Sequence, residues 1–193
     1  MTDGFHPRPH GGVVASFTGF EADLLRSLAS QLVELLRNEV AAPRSGDPLE
    51  QLLDFSGPTT DPEDPVLARL FPTAYRDDEE AAGEFRRFTE GNLRDSKAGG
   101  AVRIIETLEE GGLPPELTED GLIFDVELDA DEAVTWLKSF TDIRLALATR
   151  LEIEDGDEDY WESLPEDDPR SHVHDIYEWV GYLQEALVQA LSG

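Results

Sequence analysis

On a helical repeat of about 100° per residue, Arg86, Arg87, Glu90, Arg94 and Lys97 share one azimuth. Guanidinium forks pair planar oxyanions through parallel N–H donors, so this row could bind an anionic ligand or an acidic segment of a partner protein. The competing chemistry is internal. Glu90 stands within helical reach of Arg86, Arg87 and Arg94, and a salt-bridge network would occupy the same donors. Arg144 poses a related problem, because it falls among the apolar positions of a later helix. An unpaired buried charge is costly, so Arg144 must find a carboxylate or sit at a solvated rim.

Other candidate chemistry is weaker. His172 and His174 with Asp175 have metal-binding residue types, but residues two apart on a helix point to different faces. Asp155, Asp157 and Asp159 alternate as in a calcium loop, yet Gly156 is misplaced and the closing bidentate Glu does not fall at the required spacing. No phosphate-binding loop, dinucleotide fingerprint, nucleophile elbow or H-E-x-x-H helix occurs. We therefore assign no catalytic residue and expect no enzyme, no cofactor and no metal.

Charge separates the Arg row from its surroundings. Between Arg76 and Arg103 stand six bases and seven acids, whereas the rest of the chain has nine bases against 36 acids and carries nearly all of the net −28. Such a surface repels phosphate backbones, so direct nucleic-acid binding is disfavoured. The chain has 193 residues, enough for one domain with a proper core, and no cysteine, which excludes disulfides and thiol chemistry and fits a reducing cytoplasm. The N-terminal residues show neither a signal-peptide core nor a membrane span, and we expect a cytoplasmic protein with no membrane partner.

The elements that must position these residues can be read in order. Residues 1–11 are expected as a flexible segment, followed by a short strand over Val13–Phe17 and a helix opened by the capping box Thr18-x-x-Glu21. Leu49–Phe55 is expected to form one or two turns, and Val66–Phe71 a short helix stopped by Pro72. From Asp77 or Asp78 a long helix begins, with Ala81, Phe85 and Phe88 as one apolar stripe and Ala101, Ile104, Ile105 and Leu108 as another, roughly opposite. Either that helix kinks at Gly99-Gly100, or the mixed-charge row faces other protein. Leu122–Leu128 alternates as the clearest strand, and Asp129 with Glu132 caps a helix whose apolar face includes Trp136 and Phe140. Glu152–Asp168, with ten acids and no base, is expected as a loop. In the last helix, opened by Ser171, Trp179, Tyr182 and Ala186 form a second apolar stripe, the mark of a central helix or of an interface with another chain.

The string P-T-A-Y-R-D-D-x-E-A-A-x-E-F-R-R-F-T-E from Pro72 to Glu90 continues through Leu93-Arg94 and Lys97 to Leu108. With Trp136-Leu137, Thr141 to Leu147, Arg150-Leu151 and the block Tyr177, Trp179, Leu183-Gln184-Glu185, it resembles an actinobacterial family of unknown function that includes the AosR-like oxidative-stress regulators. The resemblance implies a regulatory role alongside RNA polymerase sigma factors, with oxidants sensed by a close pair of cysteines. This chain has no cysteine, so the sensing chemistry does not carry over.

The expected fold is mainly α, a helical bundle with a small two-stranded sheet, forming one domain over 12–193. The expected function is regulation or adaptation through a protein partner, with transcription machinery as the implied class. Contact would run through Arg86, Arg87, Glu90, Arg94, Lys97 and Arg144, or through Trp179 and Tyr182, which could also support a homodimer. The alternative is a small-molecule enzyme or ligand binder with an Arg-lined anion pocket.

Overall fold

The computed structural model describes residues 3–38, 58, 60–117 and 121–193; the turns expected over Leu49–Phe55 lie outside these. Among the described residues the order is β1 (His6–Pro7), β2 (Val13–Thr18), α1 (Gly19–Asn38), α2 (Pro65–Leu70), α3 (Glu79–Glu110), β3 (Ile123–Leu128), α4 (Ala130–Leu151), α5 (Glu158–Glu162) and α6 (Pro169–Ser192). The fold is mainly α with a small antiparallel sheet, as expected, but the sheet has three strands rather than two.

Its order is β1-β2-β3, and the central pairing sets Val13 opposite Leu128 and Phe17 opposite Phe124. In β3 the alternation works as read: Phe124, Val126 and Leu128 are buried while Ile123, Asp125 and Glu127 are exposed. The added strand β1 pairs His6 with Val14, and just before it Phe5 enters the core. Phe5 lies 6.0 Å from the Phe17 ring, 6.1 Å from Trp136 and 6.2 Å from Phe140, at tilted or edge-on angles that suit aromatic quadrupoles. Residues expected as a lead-in thus supply part of the aromatic centre.

Local signals set the helix starts. At α1 the Thr18 N–H donates to Glu21 Oε2 at 2.9 Å and the Glu21 N–H to Thr18 Oγ1 at 3.3 Å, a reciprocal capping box. Asp129 and Glu132 repeat it at α4. Asp64 caps α2, and Asp168, followed by Pro169 at the first helical position, opens α6 earlier than the expected Ser171. Within the acidic 152–168 segment, α5 interrupts the expected loop: its Trp161 is buried and stacks on His174 at 4.7 Å with rings 5° apart, so an aromatic contact orders an otherwise solvated stretch. The core lies between the sheet and the helices, with Leu25, Leu36, Ile104, Leu108, Leu183 and Leu187 fully buried around Trp136.

Candidate functional site

The α3 helix runs unbroken through Gly99-Gly100 from Glu79 to Glu110, so its two apolar stripes are not reconciled by a break. Instead its first half is turned with the charges inward. Arg86 and Glu90 are buried, Glu90 to 3%, whereas Phe85 and Phe88 are 46% and 64% exposed. A hydrophobic-inside reading assigns those two faces the other way round.

The inner row is a closed network. Arg86 donates from Nη1 to Glu90 Oε2 at 2.9 Å and to the Phe71 carbonyl at 3.1 Å, and from Nη2 to Asp61. Arg94 reaches the other oxygen of Glu90 from Nη2 at 2.9 Å and from Nε at 3.1 Å. Its Nη1 donates to the Leu36 carbonyl at 3.1 Å, and its guanidinium lies 4.9 Å above the Phe71 ring. Those carbonyls belong to the last described turn of α1 and to the residue that caps α2, and carbonyls at helix ends look beyond their own helix for donors. Two arginines on one helix therefore cap two other helices, and Glu90 bridges both from between them while Asp61 supplies the second carboxylate.

Farther along, Lys97 Nζ pairs with Asp142 Oδ1 of α4 at 2.6 Å. Burial lifts the Asp142 carboxyl above its ordinary range, although Lys97 pulls it down. Arg103 then joins Glu106 and Glu110 of its own helix to Glu132 of α4. Of the expected contact row, Arg86, Glu90, Arg94 and Lys97 thus have internal ionic partners. Arg87 differs: it is exposed, makes no ion pair among the described residues, and lies 5.6 Å from the Phe88 ring.

Arg144 offsets its burial in a way the sequence reading did not offer. Among the described residues it has no carboxylate partner, and its buried Nε has no acceptor. Its Nη1 donates to Gln184 Oε1 and its Nη2 to the Tyr177 hydroxyl, both at 3.0 Å, and the cation lies 4.7 Å from the Tyr177 ring. Gln184 is oriented by donating to Thr141 Oγ1 at 2.7 Å. A Cβ on Gly181 would stand 3.2 Å from the guanidinium carbon, so the glycine makes room for it. This joins α4 to α6 through Thr141, Arg144, Tyr177 and Gln184, residues among those that carry the family resemblance.

The other candidates divide. Trp179 packs against the core, whereas Tyr182 is about half exposed beside Gly4, whose added Cβ would lie 3.2 Å from its hydroxyl. His174 is committed to the Trp161 stack. The Glu154 N–H holds the Asp157 carboxyl below its usual range. Among the described residues no three potential ligands converge on one point.

What sequence reasoning missed is the outer face of α3. Phe85 lines one hollow with Leu93, also about half exposed, Phe88 is exposed in the next turn, and Tyr75 packs edge-on against Phe85 at 6.0 Å. The available signal was the misaligned stripes: if the charged row goes inside, the aromatic row must go out.

The model of a domain of unknown function, DUF2017, matches residues 2–191. The chain belongs to this family. Among curated proteins, the oxidative stress regulator AosR of Mycobacterium tuberculosis is 31% identical, over 93% of this chain and 82% of its own length. The putative oxidative stress regulator AosR of Mycobacterium leprae is 34% identical over 89% and 78%, respectively. No solved structure matches the chain. The expected kinship is therefore correct, and these relatives are named as regulators. Among the described residues no helix is long and apolar enough to cross a membrane.

Proposed function

We propose that this chain is a non-enzymatic regulatory adaptor of the cytoplasm that binds a protein partner through the outer face of α3. The observation that carries this reading is the inversion of the helix. Phe85 and Phe88 are exposed in the same turns whose Arg86 and Glu90 are buried, and apolar groups grouped on a surface mark interaction sites. The names of the mycobacterial relatives support regulation, and the missing cysteines mean that it works here without a thiol switch. Transcription machinery is the partner class the kinship favours.

Capture of partners from a native lysate by the wild-type chain and by Phe85→Ser with Phe88→Ser tests this. Loss of a defined partner by the double variant is expected. A folded double variant that keeps the full set refutes the reading. The ligand-binding alternative is less favoured because Arg86 and Arg94 already donate to carboxylates and carbonyls. A thermal shift with phosphorylated or carboxylated metabolites would revive it. Homodimerisation through exposed Tyr182 predicts a concentration-dependent mass in light scattering.

A further inference from the structure

We infer that the partner element is an amphipathic α-helix with a basic edge, lying in the furrow that follows α3 from Phe85 to Gly100, walled by residues 70–74 at its first end and by α4 at its second. This rests on the preceding proposal that the outer face of α3 binds protein. Two hollows of about 290 and 610 Å³ share Leu93 as a wall, the first reaching back to Phe85 and the second forward to Gly100. At about 1.5 Å per residue the furrow is roughly 22 Å long, the span of a helix of about 15 residues.

Its chemistry changes along that length. Near Phe85 and Leu93 it is apolar, while Ser96, Gly99 and Gly100 form a low floor toward the other end. An added Cβ on Gly99 meets nothing within 4 Å, so another backbone can approach there. Ser139, 2% exposed overall, lines the second hollow.

Charge decides the occupant. Glu84 and Asp95, next in sequence to Phe85 and Ser96, are exposed and without ion pairs among the described residues, and the whole chain carries −28. They call for bases along one edge of the bound helix. Lys138, exposed and likewise unpaired on the α4 wall, calls for a carboxylate on the other. A second copy of this chain does not fit: it carries the same charge, and its own α3 offers acids at that edge.

A fluorescent Leu/Lys amphipathic peptide of about 15 residues, with a Leu/Glu counterpart and a scrambled Leu/Lys control, provides the test by anisotropy. Saturable binding of the Leu/Lys peptide alone is expected. Gly99→Leu, which fills open space and should leave melting unharmed, should weaken it at least about tenfold, as should Glu84→Lys with Asp95→Lys. No saturable binding to the wild type, equal binding of the scrambled control, or indifference to Gly99→Leu would each overturn the inference. If Gly99→Leu still captures the native partner while the Phe85/Phe88 variant does not, the adaptor reading stands and the furrow falls. If both variants keep the partner, both readings fall.

Discussion

Lys97 Nζ stands 2.6 Å from Asp142 Oδ1, an ionic tie between α3 and α4 in which the carboxylate is the more deeply buried member. Burial raises the Asp142 pKa above 3.8 despite Lys97. A carboxyl with a raised folded pKa binds more protons folded than unfolded, so its contribution is largest below the unfolded value and declines as pH rises through the folded one. Exposed Asp168 runs the other way: hydrogen bonds from Arg170 hold it at about 2, so its contribution is present above 3.8 and lost as pH falls from there through about 2. A carboxyl NMR titration should place Asp142 above 3.8 and Asp168 below it. An Asp142 midpoint at or below that value contradicts the burial account.

The two faces of α3 should respond unequally to mutation. Glu90→Ala leaves Arg86 and Arg94 without their shared carboxylate in a buried setting, and a loss of about 3–5 kcal/mol is expected in urea unfolding. Arg87→Ala, only one turn away but exposed, should change stability by less than about 0.5 kcal/mol. Equal effects would mean that the inner row is not a network.

Adjacent glycines on α3 give a sharper contrast. Gly99→Ala meets nothing within 4 Å and should stabilise the helix by about 0.5–1 kcal/mol. Gly100→Ala places its Cβ 2.8 Å from Ser139 Oγ, and overpacking of about 1–3 kcal/mol outweighs the same helical gain. Adding Ser139→Ala removes that oxygen and should raise the melting temperature of the Gly100→Ala variant.

The Arg144 arrangement predicts that charge matters less there than shape. Tyr177→Phe removes one hydrogen bond but keeps the ring under the cation, for a loss of about 1 kcal/mol. Arg144→Lys keeps the charge but loses the planar fork that reaches Gln184 and Tyr177 together, and should be the more destabilising change. Denaturation midpoints that reverse this order would indicate an ordinary point-charge interaction.

The sequence made legible what depends on neighbouring residues. The capping residues Thr18 and Asp129 and the alternation of β3 all act within a few positions, and they appear where expected. The direction in which α3 faces does not depend on neighbours. Periodicity finds Phe85 and Phe88 on one side and Arg86 and Glu90 on another, but the Phe71 and Leu36 carbonyls that satisfy the arginines come from other helices. Phe5 was missed for a related reason: a lone aromatic among Gly, His and Pro has no periodicity, and only the pairing of His6 with Val14 carries it to the core. The exposed aromatic face was recoverable from the misaligned stripes, but not which stripe would be inside.

Phe5 also determines where this domain can be shortened. Trimming the chain to Val13, as composition alone invites, would take one ring out of a four-ring cluster with Phe17, Trp136 and Phe140 and strip the edge from β2. The resulting void should cost about 3–5 kcal/mol, comparable to truncating a buried phenylalanine. A leader fused before Met1 therefore joins the chain within a few residues of its hydrophobic centre.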